Sequence, residues 1–177
     1  MVNFFVQELT RAIVAGEHDR VAELIKVEDI NQRTKGDFCS LSLEQATPLI
    51  WAAACKHPGH EKIVADLIGQ GADVNAQAGN GYSALIYSAK FGNYENVDNL
   101  IKNGVDLEQF CKCGKTAIMW TAGEGYYDVT ELLIKAGANV NVSGKTAQTM
   151  GKTPLILARK NGHSQIEQLL IKHGAKH

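Results

Sequence analysis

The sequence carries almost no net charge: 18 basic and 19 acidic side chains among 177 residues leave a formal charge of −1. Such a balance gives no general electrostatic grip on nucleic acid or on an anionic membrane. Its apolar runs all fall short of the roughly 18 residues that a membrane-crossing helix needs. The opening MVNFFVQELTR has no basic stretch, and Gln7 and Glu8 interrupt its apolar residues, so it does not read as a secretory signal. Four cysteines, Cys39, Cys55, Cys111 and Cys113, are too few and too irregular to imply a disulfide framework. The expectation is therefore free thiols in the reducing cytoplasm, with the nucleus or a host cytosol also compatible.

Catalytic patterns are missing as well. Cys111-x-Cys113 is tighter than the usual zinc pair, and no second pair has ligand spacing, so no metal is expected. Gly144-Lys145-Thr146 and Gly151-Lys152-Thr153 lack the upstream glycine of a phosphate loop and follow no strand. No nucleophile with its base and no carboxylate pair stands out. The expectation is a protein without catalytic residues or cofactor.

What the sequence has is repetition. Gly59, Gly92 and Gly125 are spaced by 33 residues, and a closing glycine follows each by 12, at Gly71, Gly104 and Gly137; Gly162 and Gly174 repeat that interval. Ahead of them recur Thr47-Pro48-Leu49, Ser83-Ala84-Leu85, Thr116-Ala117-Ile118 and Thr153-Pro154-Leu155. Each hydroxyl, Thr116 included, is a helix cap, and each glycine ends a helix. Gly114 to Asn141 shows the whole unit: a helix over Ala117–Ala122, a second placing Val129, Leu132 and Leu133 on one face, then an irregular arm. Helices this short must bury their faces against neighbouring units.

Five approximate units result, 1–31, 47–75, 83–108, 116–141 and 153–177, in a single domain. In the first, Phe4, Phe5, Leu9, Ala12 and Ile13 form one apolar face and Val21, Leu24 and Ile25 another. Residues 32–46 add eight positions to one arm; their first half reads as a loop, while Leu41 and Leu43 suggest that the second half folds back. Residues 142–152 lengthen another arm by four. Three extra positions precede Gly59, implying a longer first helix or a wider turn. Asn93 and Asn96 weaken the second helix of the third unit.

The units resemble ankyrin repeats. Thr47-Pro48-Leu49, Ala52-Ala53, Gly59-His60, Ile63-Val64 and Gly71-Ala72-Asp73-Val74-Asn75 carry the resemblance; Gly151-Lys152-Thr153-Pro154-Leu155, Gly162-His163 and Gly137-Ala138-Asn139-Val140-Asn141 repeat it. It implies an all-α solenoid of about five helix-turn-helix units with hairpin-like arms. It also makes His60 and His163 structural. Two departures stand out. Ile50, Ile86, Met119 and Ile156 replace the family's histidine after Thr-Pro-Leu, which implies arms held by packing. Gly104-Val105-Asp106-Leu107-Glu108 lacks the arm's alanine and asparagine.

The resemblance implies a protein-binding module, such as an adaptor, inhibitor or effector, with a concave face lined by first helices and arm tips. On that face the candidates are Asn80, Tyr82, Lys90, Phe91, Phe110, Lys112, Lys115, Glu124, Met150, Lys152 and Lys160. Tyr82, Phe91 and Phe110 are either anchors of the kind enriched in hot spots or packing against the next arm. Trp51, Tyr87 and Trp120 share one repeat position and form an aromatic column, either a binding stripe or, the reading favoured here, filler between first helices. The expected partner is another protein, with no nucleic acid and no membrane, and the chain alone is a monomer. A homo-oligomerising structural subunit is the alternative; an enzyme with a site in a long arm is a remoter one.

Overall fold

Helices of seven to twelve residues cannot persist alone in water, so their arrangement follows from how their apolar faces are shared. The computed structural model describes residues 4–26, 29–38, 41–55 and 59–176. Ten helices lie among the described residues: α1 Phe4–Ala15, α2 His18–Leu24, α3 Pro48–Ala54, α4 His60–Gly69, α5 Ala84–Phe91, α6 Tyr94–Lys102, α7 Ala117–Glu124, α8 Tyr127–Lys135, α9 Pro154–Lys160 and α10 Ser164–Lys172. They pack as antiparallel pairs. The odd-numbered helices stack on one another in one layer and the even-numbered helices in a second. This is the all-α solenoid expected from the repeats. Leu9, Leu49, Leu85, Ile118 and Leu155 run through the first layer as its core; Val21, Ile63, Val97, Leu133 and Ile166 do so in the second. The side chains of Phe4 and Phe5 lie outside the described residues.

Local chemistry sets each helix start. Thr47, Ser83 and Thr153 accept from the backbone N–H three residues on, at 3.4, 3.4 and 3.3 Å. Thr116 does not: its backbone is extended like the others, but its hydroxyl is buried and unbonded. Asn93, expected to weaken α6, instead caps it by accepting from Asn96 N at 3.0 Å. Mid-unit glycines meet two demands at once. Gly92 and Gly125 take φ of 69° and 90°, and an added Cβ on each would come within 2.6 Å of the Tyr126 or His163 ring from the next unit. His60 and His163 contact carbonyls of the preceding unit, Ile13 O at 2.7 Å and Gly123 O at 3.1 Å.

The arms are tied by a ladder. Asn31 Oδ1 accepts from Asp73 N at 2.7 Å, Asn75 Oδ1 from Asp106 N at 2.8 Å, and Asn141 Oδ1 from Lys176 N at 2.7 Å. Glu108 stands where the arm motif lacks its asparagine, and its Oε1 accepts from Asn139 N at 2.8 Å. The longer side chain keeps the rung. Ile50, Ile86 and Met119 are buried, whereas Ile156, on the last odd-numbered helix, is 40% exposed. Polar rungs and packing therefore both hold the arms.

The irregular segments take definite form. The half expected as loop is largely strand, β1 Thr34–Phe38, and the second half folds back on it as β2 Leu41–Ala46, antiparallel with Gly36 opposite Leu43. Leu43 points into the core and draws the hairpin down. Of the two readings of the extra positions before Gly59, the wider turn fits: α3 ends at Ala54 and the extra positions follow it, with 56–58 outside the described residues. The cysteines overturn the expectation of free thiols. Cys111 and Cys113 form a disulfide, with Cα atoms 5.2 Å apart as such a bond requires, and Cys55 is disulfide-bonded too. The Gly114 N–H donates to Cys111 O at 2.8 Å, closing a turn that brings the two thiols together. Spacing rules tuned to regular frameworks do not anticipate so local a pair.

Candidate functional site

Successive arms join edge to edge. Gly79 N donates to Glu44 O at 2.6 Å, Lys112 N to Asn80 O at 3.0 Å, and Lys145 N to Gly114 O at 3.2 Å. Behind this edge the first helices present their exposed ends. In α5, Tyr87, Lys90 and Phe91 fall at helical spacing on one side. Tyr82 stands just before the Ser83 cap, and Lys115 just before Thr116. In α7, Trp120 occupies the position of Tyr87.

These side chains converge. The Tyr82 and Tyr87 rings stack at 4.7 Å, Tyr82 lies 6.1 Å from Trp120, and Phe91 lies 6.0 Å from Tyr87. Lys90 Nζ sits 5.3 Å from the Tyr82 ring centre, 5.9 Å from that of Phe91 and 5.0 Å from that of Trp120. Lys115 Nζ is 4.0 Å from the Trp120 centre. All lie within the reach of cation–π attraction. Asn80 Nδ2 donates to the Tyr87 hydroxyl at 3.0 Å and its Oδ1 accepts from Tyr82 N, fixing the arm tip over the cluster.

Burial dominates the electrostatics. It lowers the Lys115 pKa; Glu124 opposes this, while the positive charges of Lys152 and Lys90 add to it. Burial also raises the Tyr82 and Tyr87 phenols, and the Asn80 hydrogen bond partly offsets this for Tyr87. The Tyr82 hydroxyl lies 3.8 Å from Cys113 Sγ, so the disulfide borders the cluster.

The residues expected from sequence divide clearly. Tyr82, Lys90, Phe91, Lys115 and Trp120 come together, with Asn80 and Glu124 at the edge and Lys152 close enough to influence Lys115. Tyr87 is only 2% exposed and acts from beneath, as the floor under Tyr82. Trp51 is fully buried; its indole N–H donates to Thr34 Oγ1 on the hairpin at 2.8 Å, so it presents no surface to a partner. Phe110 belongs to a separate contact with Lys145, whose Nζ lies 3.8 Å from the ring centre. Lys112 and Lys160 are exposed outside the cluster, and Met150 is 72% exposed on the long arm. Lys145 was absent from the sequence-based set. Its place at the tip of a lengthened arm was the available signal.

The second long arm packs rather than hanging free. Thr146 Oγ1 donates to Cys113 O at 3.1 Å, and Thr149 Oγ1 reaches Gly114 O at 3.4 Å. Among the described residues no group of three or more His, Cys, Asp or Glu could hold a metal ion, and no helix is long and apolar enough to cross a membrane.

A family model described as ankyrin repeats in three copies matches residues 53–144, more than half of the chain, and a second, for a single ankyrin repeat, matches residues 150–177. No curated protein matches the sequence.

Proposed function

Because the chain belongs to the ankyrin-repeat family, whose repeats are generally protein–protein interaction modules and typically non-enzymatic, we propose that it binds another protein through its concave face. One observation carries this reading: Tyr82, Trp120, Lys90 and Lys115 form a half-buried aromatic and cationic cluster where first helices meet arm tips. Rings held by stacking and by a tethered arm lose little freedom on binding, which favours their use as anchors. The role is that of an adaptor, inhibitor or effector acting as a rigid scaffold, without catalysis. The five units act as one domain, monomeric when unbound, with neither nucleic acid nor membrane as partner.

Cytoplasmic placement belongs to the same proposal, and the Cys111–Cys113 bond pulls against it, because disulfides persist mainly in oxidising compartments. Thiol counting on protein from its source under non-reducing conditions decides between them.

The test is affinity capture from the source with wild type, Tyr82→Ala/Trp120→Ala and an outer-face control, Tyr94→Ala. Loss of the captured protein with the first variant alone supports the reading. Loss with Tyr94→Ala alone points to the outer helices, where Tyr94 and Tyr127 are 43% and 38% exposed, and so to the structural-subunit alternative.

A further inference from the structure

Several cations elsewhere are paired: Lys102 with Asp98 at 2.5 Å, Lys135 with Glu131 at 2.8 Å, and Arg159 of α9 with Glu167 of α10 at 2.6 Å. Around the aromatic cluster they are not. Among the described residues, Lys90, Lys112, Lys115, Lys145 and Lys152 form no ion pair with any carboxylate. Lys90, Lys115 and Lys145 lie against rings, and Lys152 Nζ donates to a backbone carbonyl, that of Gln148. In a chain with one more acidic than basic side chain, Lys90, Lys115 and Lys152 close enough to repel, with Lys145 over Phe110, are a local excess. Glu124 is the carboxylate whose charge reaches Lys115.

We propose that this face recognises an acidic segment of a partner protein, whose carboxylates meet Lys90, Lys115 and Lys145 while an apolar or aromatic side chain between them lies on Tyr82 and Trp120. The inference rests on the reading of the concave face as the binding surface and adds the chemistry of the partner. Charge complementarity selects the acids, because an ammonium group already held over a ring keeps its donors for a carboxylate. The aromatic wall selects the apolar side chain. Two cation–ring contacts on neighbouring arm tips, Lys115 on Trp120 and Lys145 on Phe110, give a segment crossing two units two places to bind. A nucleic acid fits less well. Glu124 would face its phosphates, and a chain of net charge −1 has no basic excess to track a backbone.

A random peptide library selected on the full chain tests this. Recovered peptides are expected to be enriched in Asp and Glu and to include an apolar or aromatic residue. The tightest peptide is then titrated by fluorescence anisotropy. Lys90→Glu/Lys115→Glu is expected to weaken it by more than about tenfold, and Lys90→Arg/Lys115→Arg to stay near wild type. Circular dichroism checks that each variant is folded. Neutral or basic peptides that depend on Trp120 would overturn the charge inference and leave the binding face standing. Peptides indifferent to Trp120 and to both lysines would overturn both. A selection that recovers nothing counts against the proposal. So does a single-stranded oligonucleotide that binds more tightly than the peptide and is lost on lysine reversal, which would transfer the face to nucleic acid.

Discussion

Trp51 and Trp120 hold the same position two units apart, yet their surroundings are opposite. Trp51 is closed over by the β1–β2 hairpin and donates its indole N–H to Thr34. Trp120 has no such cover. Its ring is flanked by Lys90 and Lys115, and its indole nitrogen finds no acceptor among the described residues. The helical site alone does not decide whether a large ring there is core or contact. The arm in front of it does. An eight-residue insertion turns one arm into a hairpin and seals its tryptophan; a standard arm leaves the other partly exposed.

Substitution of the two tryptophans is the strongest way to break this comparison. Trp51→Ala should cost about 3–5 kcal/mol in urea unfolding, because it empties a fully enclosed site. Trp120→Ala should cost no more than about 1.5 kcal/mol, the scale of a lost cation–π and ring contact, while abolishing partner capture. Equal losses of stability would remove the distinction. Next in size, Thr34→Val removes the Thr34 acceptor from the buried Trp51 N–H and should cost about 1–3 kcal/mol by the same measurement. No loss would mean that the hairpin covers Trp51 without holding it.

Smaller effects sharpen the account of the arms. Glu108→Ala should remove one rung and cost about 0.5–1.5 kcal/mol, and Asn75→Ala a similar amount. Glu108→Asn should retain most of that stability if rung geometry tolerates the shorter side chain. The smallest effect concerns Lys115. Burial holds its folded pKa below 10.5, so the unfolded chain binds the proton more tightly. The cost is therefore fully present below the folded pKa and fades as pH rises toward the unfolded value. Lys115→Met should abolish that rise and recover the burial cost at neutral pH, less the lost contact with Trp120. An unaltered pH profile would show that Lys115 is solvated.

The repeat register was legible because glycine and hydroxyl positions are dictated locally: Gly92 and Gly125 by φ and close approach, Ser83 and Thr153 by capping. The hairpin was only half legible. Gly36 and Asp37 are poor strand formers, and their pairing comes from β2 and from the burial of Leu43. The cluster was legible as a list of names on one face but not as a grouping. That Lys90 spans three rings, that Lys145 reaches Phe110, and that Glu108 replaces an asparagine rung all depend on how one unit is set against the next. Trp51 and Trp120 are indistinguishable in the repeat pattern for the same reason: the hairpin that separates them lies outside it.

Hydrogen–deuterium exchange with and without a captured partner protein locates the binding face. Binding at the face where first helices meet arms predicts protection over 79–91 and 111–124, with α6 and α8 unchanged. Protection confined to α6 and α8, with 79–91 and 111–124 exchanging as in the free protein, would contradict it.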